Sequence, residues 1–282
     1  MSDQSGEDLK QFLDTNQYSR KSILRYEKIF GVTYVSTGGE VTTAEFCTKM
    51  GLKPGMKILD VGAGIGGSAF YMAKTFGVEI DGVDLSSNMV DIANEDRGKM
   101  DKDIQKKVNF KVEDATKMDY PENYYDVVYS RDTILHIADK KSLFINFFKT
   151  LKPNGCIVIT DYCKGDLSKL GKEDYSQDFK DYVADRGYHL LTVEQYGQVL
   201  TDAGFLNVDA QDRTKQFVNI LHRELANFRK IRDEVVNEYS LEDFDHICQG
   251  WEEKVVRCGH GDQGPIILNI FWCNLMASKI VV

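Results

Sequence analysis

Long apolar runs are missing from this 282-residue chain: no stretch of about 18 apolar residues occurs, so no transmembrane helix is expected. An excess of basic residues is missing too. Lys and Arg total 35 against 44 Asp and Glu, a net charge of −9. That argues against a broad nucleic-acid footprint, which needs a basic face, but leaves room for a small cationic pocket. The six cysteines form no C-x-x-C pair. They read as reduced thiols of a cytoplasmic protein rather than a disulfide framework. His246, Cys248, Cys258 and His260 lie near one another in sequence, but their spacing fits no standard zinc finger, and no metal is expected. The polar, acidic start, Met1 to Asp8, is unlike a secretory or transit leader. Internal repeats and low-complexity tracts are also missing. At 42% hydrophobic and 28% charged residues, the composition is that of a folded globular protein.

What is present is α/β alternation. The polar start carries aromatics at intervals, Phe12, Tyr18, Tyr26, Phe30 and Tyr34, a stripe that normally packs on a core. A helix is expected from Thr42 to Met50, capped by Thr42 or Thr43 and stopped at Gly51. Strands are expected at Lys57–Val61, Val78–Val83, Val108–Val112, Tyr125–Ser130 and Cys156–Thr160. Helices between them are expected near Ser68–Phe76, Asn88–Met100 and Lys141–Thr150. This rhythm implies a parallel sheet covered on both faces. Beyond residue 160 it changes. Helices are expected at Asp174–Arg186, Thr192–Ala203, Lys215–Tyr239 and Leu241–Val256, with β-like segments at Phe205–Ala210 and Ile266–Met276. One catalytic core with helical embellishments accounts for the whole: residues 1–42 as a lid, 43–160 as a cofactor-binding core, and 161–282 as substrate-binding helices and closing strands.

The segment from Ile58 to Gly67 places an acidic residue at a strand end, followed by a glycine-rich turn. Such a turn lets the backbone approach a ligand closely. Gly62, Gly64 and Gly67 also satisfy a loose dinucleotide pattern, so the glycines alone do not choose a cofactor. Asp60 does. A carboxylate beside the turn repels a pyrophosphate and attracts a cation, which favours S-adenosylmethionine over NAD. Asp84, 20 residues after Gly64 at the end of the second strand, can accept ribose hydroxyls. Asp114, after the third strand, can accept from an adenine amine. Leu85 and Ala115, the residues that follow these acids, are counted with the cofactor site. Any one of the aspartates could be a plain turn former; their joint placement at strand ends is what points to an adenosine.

The segment from Ser130 to His136, together with Asn16-Gln17-Tyr18, the run from Tyr34 to Gly39, and the run from Ile159 to Cys163, resembles the phosphoethanolamine N-methyltransferases of protozoa, nematodes and plants over residues 10 to 255. The resemblance implies a Rossmann-like class I methyltransferase fold: a seven-stranded, mostly parallel sheet with helices on both faces, an N-terminal helical lid and a substrate-binding insertion. It implies methylation of phosphoethanolamine or its mono- and dimethyl forms toward phosphocholine, with S-adenosylmethionine as donor and no metal. Tyr18, Asp132 and His136 match the catalytic positions. Tyr162, Tyr182, Arg186, Tyr188 and Lys254 match phosphate contacts, and Tyr26, Ser36 and Arg131 match positions near the cofactor. Residues 10 to 36 would close over the site. Without the resemblance, His136 and Tyr18 read as packing residues, and Arg186 and Lys254 as solvated charges.

The chain departs from the family at its end, where an expected Trp-Gly pair is missing. The apolar tail is then either the closing strand or an altered terminus. The remaining readings are a methyltransferase for another small amine or lipid, and a non-catalytic S-adenosylmethionine-binding regulator. A nucleic-acid methyltransferase is disfavoured, because no Asn/Asp-Pro-Pro-aromatic block follows the fourth strand. The partner is a small molecule, and a one-domain enzyme of this kind can work as a monomer.

Overall fold

The computed structural model of the chain describes residues 14–15, 18–170, 173–258 and 270–279. Phe12, Asn16, Gln17, His260 and residues 261–269 of the tail lie outside the described residues. The strands are β1 (Lys57–Val61), β2 (Glu79–Asp84), β3 (Val108–Val112), β4 (Tyr125–Arg131), β5 (Leu151–Lys164), β6 (Leu206–Asp212) and β7 (Ile270–Ser278). They form one seven-stranded sheet in the order β3-β2-β1-β4-β5-β7-β6. The first five pair in parallel, while β7 runs antiparallel between β5 and β6.

Both faces of the central strands β1, β4 and β5 are covered, and these strands are accordingly buried at successive positions rather than at alternate ones. Ile58, Ile80, Val127, Tyr129 and Val158 enter one core cluster. Their neighbours Leu59, Val128, Ile157 and Ile159 enter the other. The helices are α1 (Arg20–Phe30), α2 (Gly39–Cys47), α3 (Gly67–Phe76), α4 (Ser87–Lys99), α5 (Lys102–Gln105), α6 (Lys140–Thr150), α7 (Leu167–Leu170), α8 (Gln177–Asp185), α9 (Val193–Asp202), α10 (Thr214–Lys230), α11 (Arg232–Glu238) and α12 (Leu241–Arg257). Local chemistry sets several boundaries. Thr192 and Gln195 form a reciprocal capping box before α9. Ser176 caps α8 by accepting from the Phe179 amide, which starts that helix later than Asp174.

Three expectations need correction. The helix expected from Thr42 opens at Gly39, with Gly38 as its N-cap; Thr42 and Thr43 lie buried inside it, and the Thr43 hydroxyl donates to the Gly39 carbonyl at 3.1 Å. The long helix expected from Lys215 to Tyr239 is broken at Ile231, whose backbone leaves the helical region at φ −100° and ψ 21°. Strand β5 runs well past the expected Cys156–Thr160, because β7 pairs with it from Cys156 to Lys164 and satisfies its backbone that far. The tail does supply the closing strand over Ile270–Ser278; residues 266–269 of the expected segment lie outside the described residues.

Helix α1 is tied to the body by its basic residues. Lys28 pairs with Glu234 at 3.0 Å and Glu238 at 2.7 Å, both on α11. Lys21 and Arg25 pair with Asp243 on α12, and Arg20 with Glu95 on α4. Among the described residues no helix is long and apolar enough to cross a membrane.

Candidate active site

Two adjoining cavities open at the carboxyl ends of the strands. The first, of about 760 Å³, is lined by the turn after β1 and the loops after β2, β3 and β4. The chain leaves β1 and turns at Gly62, whose amide donates to the Val83 carbonyl at 2.8 Å. Gly62 has φ 74°, and a Cβ there would lie 2.0 Å from the Thr133 hydroxyl, so the turn admits no side chain. Asp84 accepts from the Gly64 amide and from the Ser86 amide, each at 2.9 Å. These bonds oppose the burial that raises its carboxyl. Asp60 is buried, and its Oδ2 has no hydrogen-bond partner. Burial pushes its carboxyl up to about 7, against the pull of Arg131 and with repulsion from Asp84. A buried acceptor of this kind fits a cationic ligand group.

Ser36, Asp60, Gly62, Gly64, Asp84 and Leu85 all line this cavity, as do Asp114, Ala115 and Arg131. Asp114 also shapes its own turn, accepting from the Thr116 amide and hydroxyl at 2.9 and 2.6 Å. Arg131 is spent largely on structure: its guanidinium donates to the carbonyls of Thr37 and Gly39 and to the Thr43 hydroxyl. The N-terminal segment closes one side. Asp14 accepts from the Ser86 and Ser87 hydroxyls at 2.5 and 2.6 Å, and Asn88 donates to the Tyr18 carbonyl at 2.9 Å.

The second cavity, of about 510 Å³, is built by side chains from distant segments. Tyr162, Tyr182, Tyr188 and Lys254 line it, and Arg186 lines both cavities. The rings of Tyr182 and His136 lie 5.9 and 5.1 Å from that of Tyr188. The Arg186 guanidinium sits 4.3 Å from the Tyr182 ring, and Lys254 Nζ 3.9 Å from the Trp251 ring. Tyr26 faces this second cavity, tilted against Trp251 at 6.2 Å, and is not on the wall of the first. Burial raises the phenols of Tyr162, Tyr182 and Tyr188, so they stay protonated donors. Burial lowers Lys254 to about 8, opposed by Glu224 and Asp132.

The cavities meet where Tyr18, Asp132 and His136 line both. Asp132 holds a left-handed backbone at φ 50°, a strained state for a non-glycine residue that is commonly kept at functional sites. Its Oδ2 accepts from the Thr37 amide at 3.2 Å. His136 stands on a short 3-10 turn, Ile134–His136. Burial lowers its imidazole to about 4, helped by Lys140 and His189, so it is neutral at pH 7 and, before any ligand enters, a weak base. The Tyr18 phenol is raised by burial, with Asp84, Tyr26 and Asp132 adding to the effect.

Sequence reasoning missed Trp251 and Arg257, which line the second cavity beside Lys254. Both lie three residues from Lys254 on α12, a helical spacing that puts them on its face and could have flagged them. Arg257 also sits 4.3 Å from the Tyr182 ring. Glu224, buried behind the second cavity, gave no signal in sequence.

The strand order with an antiparallel β7, and a glycine turn facing a buried strand-end acid, define a class I methyltransferase domain. A family model described as a methyltransferase domain matches residues 52–204. The phosphoethanolamine N-methyltransferase of Plasmodium falciparum is 36% identical over 248 residues, covering 87% of this chain and 90% of that protein. The chain belongs to the phosphoethanolamine N-methyltransferase family. Phosphoethanolamine N-methyltransferase 1 of Zea mays is 50% identical over 254 residues, covering 89% of this chain and 48% of its own length. The chain thus spans about half the length of the plant relatives it matches. A solved structure of Haemonchus contortus phosphoethanolamine N-methyltransferase 2, in complex with phosphomonomethylethanolamine and S-adenosylhomocysteine, superposes with a TM-score of 0.88. It is 32% identical, over 96% of this chain and 60% of that one.

Proposed function

We propose that the chain catalyses S-adenosylmethionine-dependent N-methylation of phosphoethanolamine, or of its mono- and dimethyl forms, toward phosphocholine. The observation that carries this reading is the junction of the two cavities at Tyr18, Asp132 and His136. One cavity suits an adenosine and a cation; the other offers cations and protonated phenols to a phosphate. S-adenosylmethionine supplies an electrophilic methyl group. Its ammonium would face Asp60, its ribose Asp84, and its adenine the loop at Asp114.

The roles of the chain's residues follow from their chemistry. Lys254, Arg186 and the phenols of Tyr162, Tyr182 and Tyr188 bind the phosphate through charge-assisted hydrogen bonds. Asp132 holds the substrate nitrogen. His136, neutral before substrate enters, takes the proton that the ammonium must lose to expose its lone pair. A phosphate dianion in the adjoining cavity offsets Lys140 and so strengthens the imidazole as a base. Tyr18 caps the junction, and burial behind the N-terminal segment excludes water from these contacts. The buried thiols of Cys47, Cys248 and Cys258 fit a reducing, cytoplasmic setting, and two cavities lined by one chain fit a monomer.

The test is methyl transfer from labelled cofactor to phosphoethanolamine, monomethyl- and dimethylphosphoethanolamine, assayed side by side. Labelled product from at least one is expected. Labelling of ethanolamine or sarcosine in preference to all three would overturn the assignment.

A further inference from the structure

Glu224 faces neither cavity, yet it is only 6% exposed and both its carboxylate oxygens are committed to the frame of the second one. Oε1 accepts from the Gly38 amide at 2.6 Å. Oε2 accepts from the Trp251 indole N–H at 2.9 Å. The preceding amide, Thr37, donates to Asp132. Two successive amides of one turn therefore hold the carboxylate at the amine end and the carboxylate behind the phosphate end. The turn needs glycine at its second position: Gly38 has φ 80°, and a Cβ would lie 1.8 Å from the Thr42 hydroxyl.

We propose that Glu224 is a positioning residue for the phosphate end of the substrate: it fixes the Thr37–Gly38 turn and Trp251, the ring that Lys254 Nζ approaches at 3.9 Å. The inference rests on the functional reading above. A buried carboxylate without a cation nearby would be expensive, and so would a buried ammonium without an anion. The groups facing Lys254 are Glu224 from α10, Asp132 after β4, Arg186 after α8 and Cys258 at the end of its own helix. Those facing Glu224 are Lys254 and Arg223, besides its two hydrogen-bond donors. Burial and Arg186 disfavour the ammonium; Glu224 and Asp132 favour it.

Glu224→Gln keeps the shape, removes the charge and replaces one of the two acceptors by an amide donor. Its KM for phosphoethanolamine should rise by roughly tenfold or more, with S-adenosylmethionine affinity within about twofold of the parent. The alkaline limb of kcat/KM against pH should move down by about one pH unit, because Lys254 loses its proton earlier. Trp251→Phe removes the indole donor but keeps the charge; it should raise KM without moving that limb. Glu224→Asp, which keeps the charge on a shorter arm, should raise KM with the limb near its parent position. An unchanged KM and an unchanged limb in Glu224→Gln would overturn the proposal. Should that variant fail to fold by circular dichroism, parent KM values in both Trp251→Phe and Glu224→Asp overturn it equally. Absence of methyl transfer by the parent protein would instead remove the functional reading itself.

Discussion

The two cavities are built by different means. The cofactor-side cavity is made where consecutive strands end: the Gly62–Gly66 turn, Asp84 after β2 and Asp114 after β3 come from neighbouring βα units. Much of its chemistry is carried by backbone amides and buried carboxylates. The phosphate-side cavity is assembled by side chains from α1, the loop after β4, β5, α8 and α12, and two of these, α1 and α12, belong to no strand-helix repeat. The first kind of site is inherited with the fold. The second kind rests on a few aromatic and cationic residues that the strand-helix repeat does not dictate, which is where a function grafted on a shared fold can differ.

Substitutions can break this division of labour, beginning at the junction. His136→Ala should lower kcat by at least ~100-fold, the usual scale of a lost general base, while calorimetric S-adenosylmethionine affinity stays within about twofold. A collapse of cofactor binding with normal turnover at saturation would make His136 a structural residue. Lys254→Met should come next, raising KM for phosphoethanolamine by roughly 10- to 100-fold through loss of a charge-assisted contact, again with little effect on the cofactor. Gly62→Ala should do the reverse: cofactor Kd rises by about tenfold, from the strained φ and the approach to Thr133, while acceptor KM at saturating cofactor is preserved. Equal effects of Lys254→Met and Gly62→Ala on both ligands would mean the cavities are one site.

The smallest expected effect is a pH dependence. Asp60 titrates at about 7 in the protein, so it is largely charged at pH 8 and largely neutral at pH 6. If its charge holds a cation, cofactor affinity should weaken by roughly three- to tenfold as pH falls over that range. Asp60→Asn should flatten the dependence. A pH-independent affinity in the parent would assign the cationic end of the cofactor to another residue.

The same contrast explains what was legible in the sequence. Strands β1 and β3 were located to the residue, and Asp60, Asp84 and Asp114 were recognisable, because strand periodicity, a glycine turn and strand-end acids are local signals. The residues of the second cavity were named through resemblance, since Tyr162, Tyr182 and Lys254 share no spacing that a single segment reveals; Tyr182 and Arg186, four residues apart, gave a local hint as one helix face. Glu224 escaped both routes: its partner Gly38 lies 186 residues away in the chain, and a lone acid on an amphipathic helix reads as solvated charge. The cap at Gly38 was missed for a related reason. Threonine and glycine are comparable N-caps, and here a left-handed Gly38 lets the chain enter the helix earlier and buries Thr42 and Thr43.

The position of β7 has a consequence for how the molecule is made. Strand β6 pairs with β7 at the sheet edge, and β7 joins it to β5. Leu206 is in register with Ser278, and Cys156 with that same residue. During synthesis, β1 to β5 can dock in order of appearance, whereas β6 must wait, its edge bare, until residues 270–278 have left the ribosome. Pairing at such sequence separation is slow, and an unpaired strand invites association with other chains. The closing step of folding, rather than the cofactor core, is therefore where recombinant production of this chain is most exposed to aggregation.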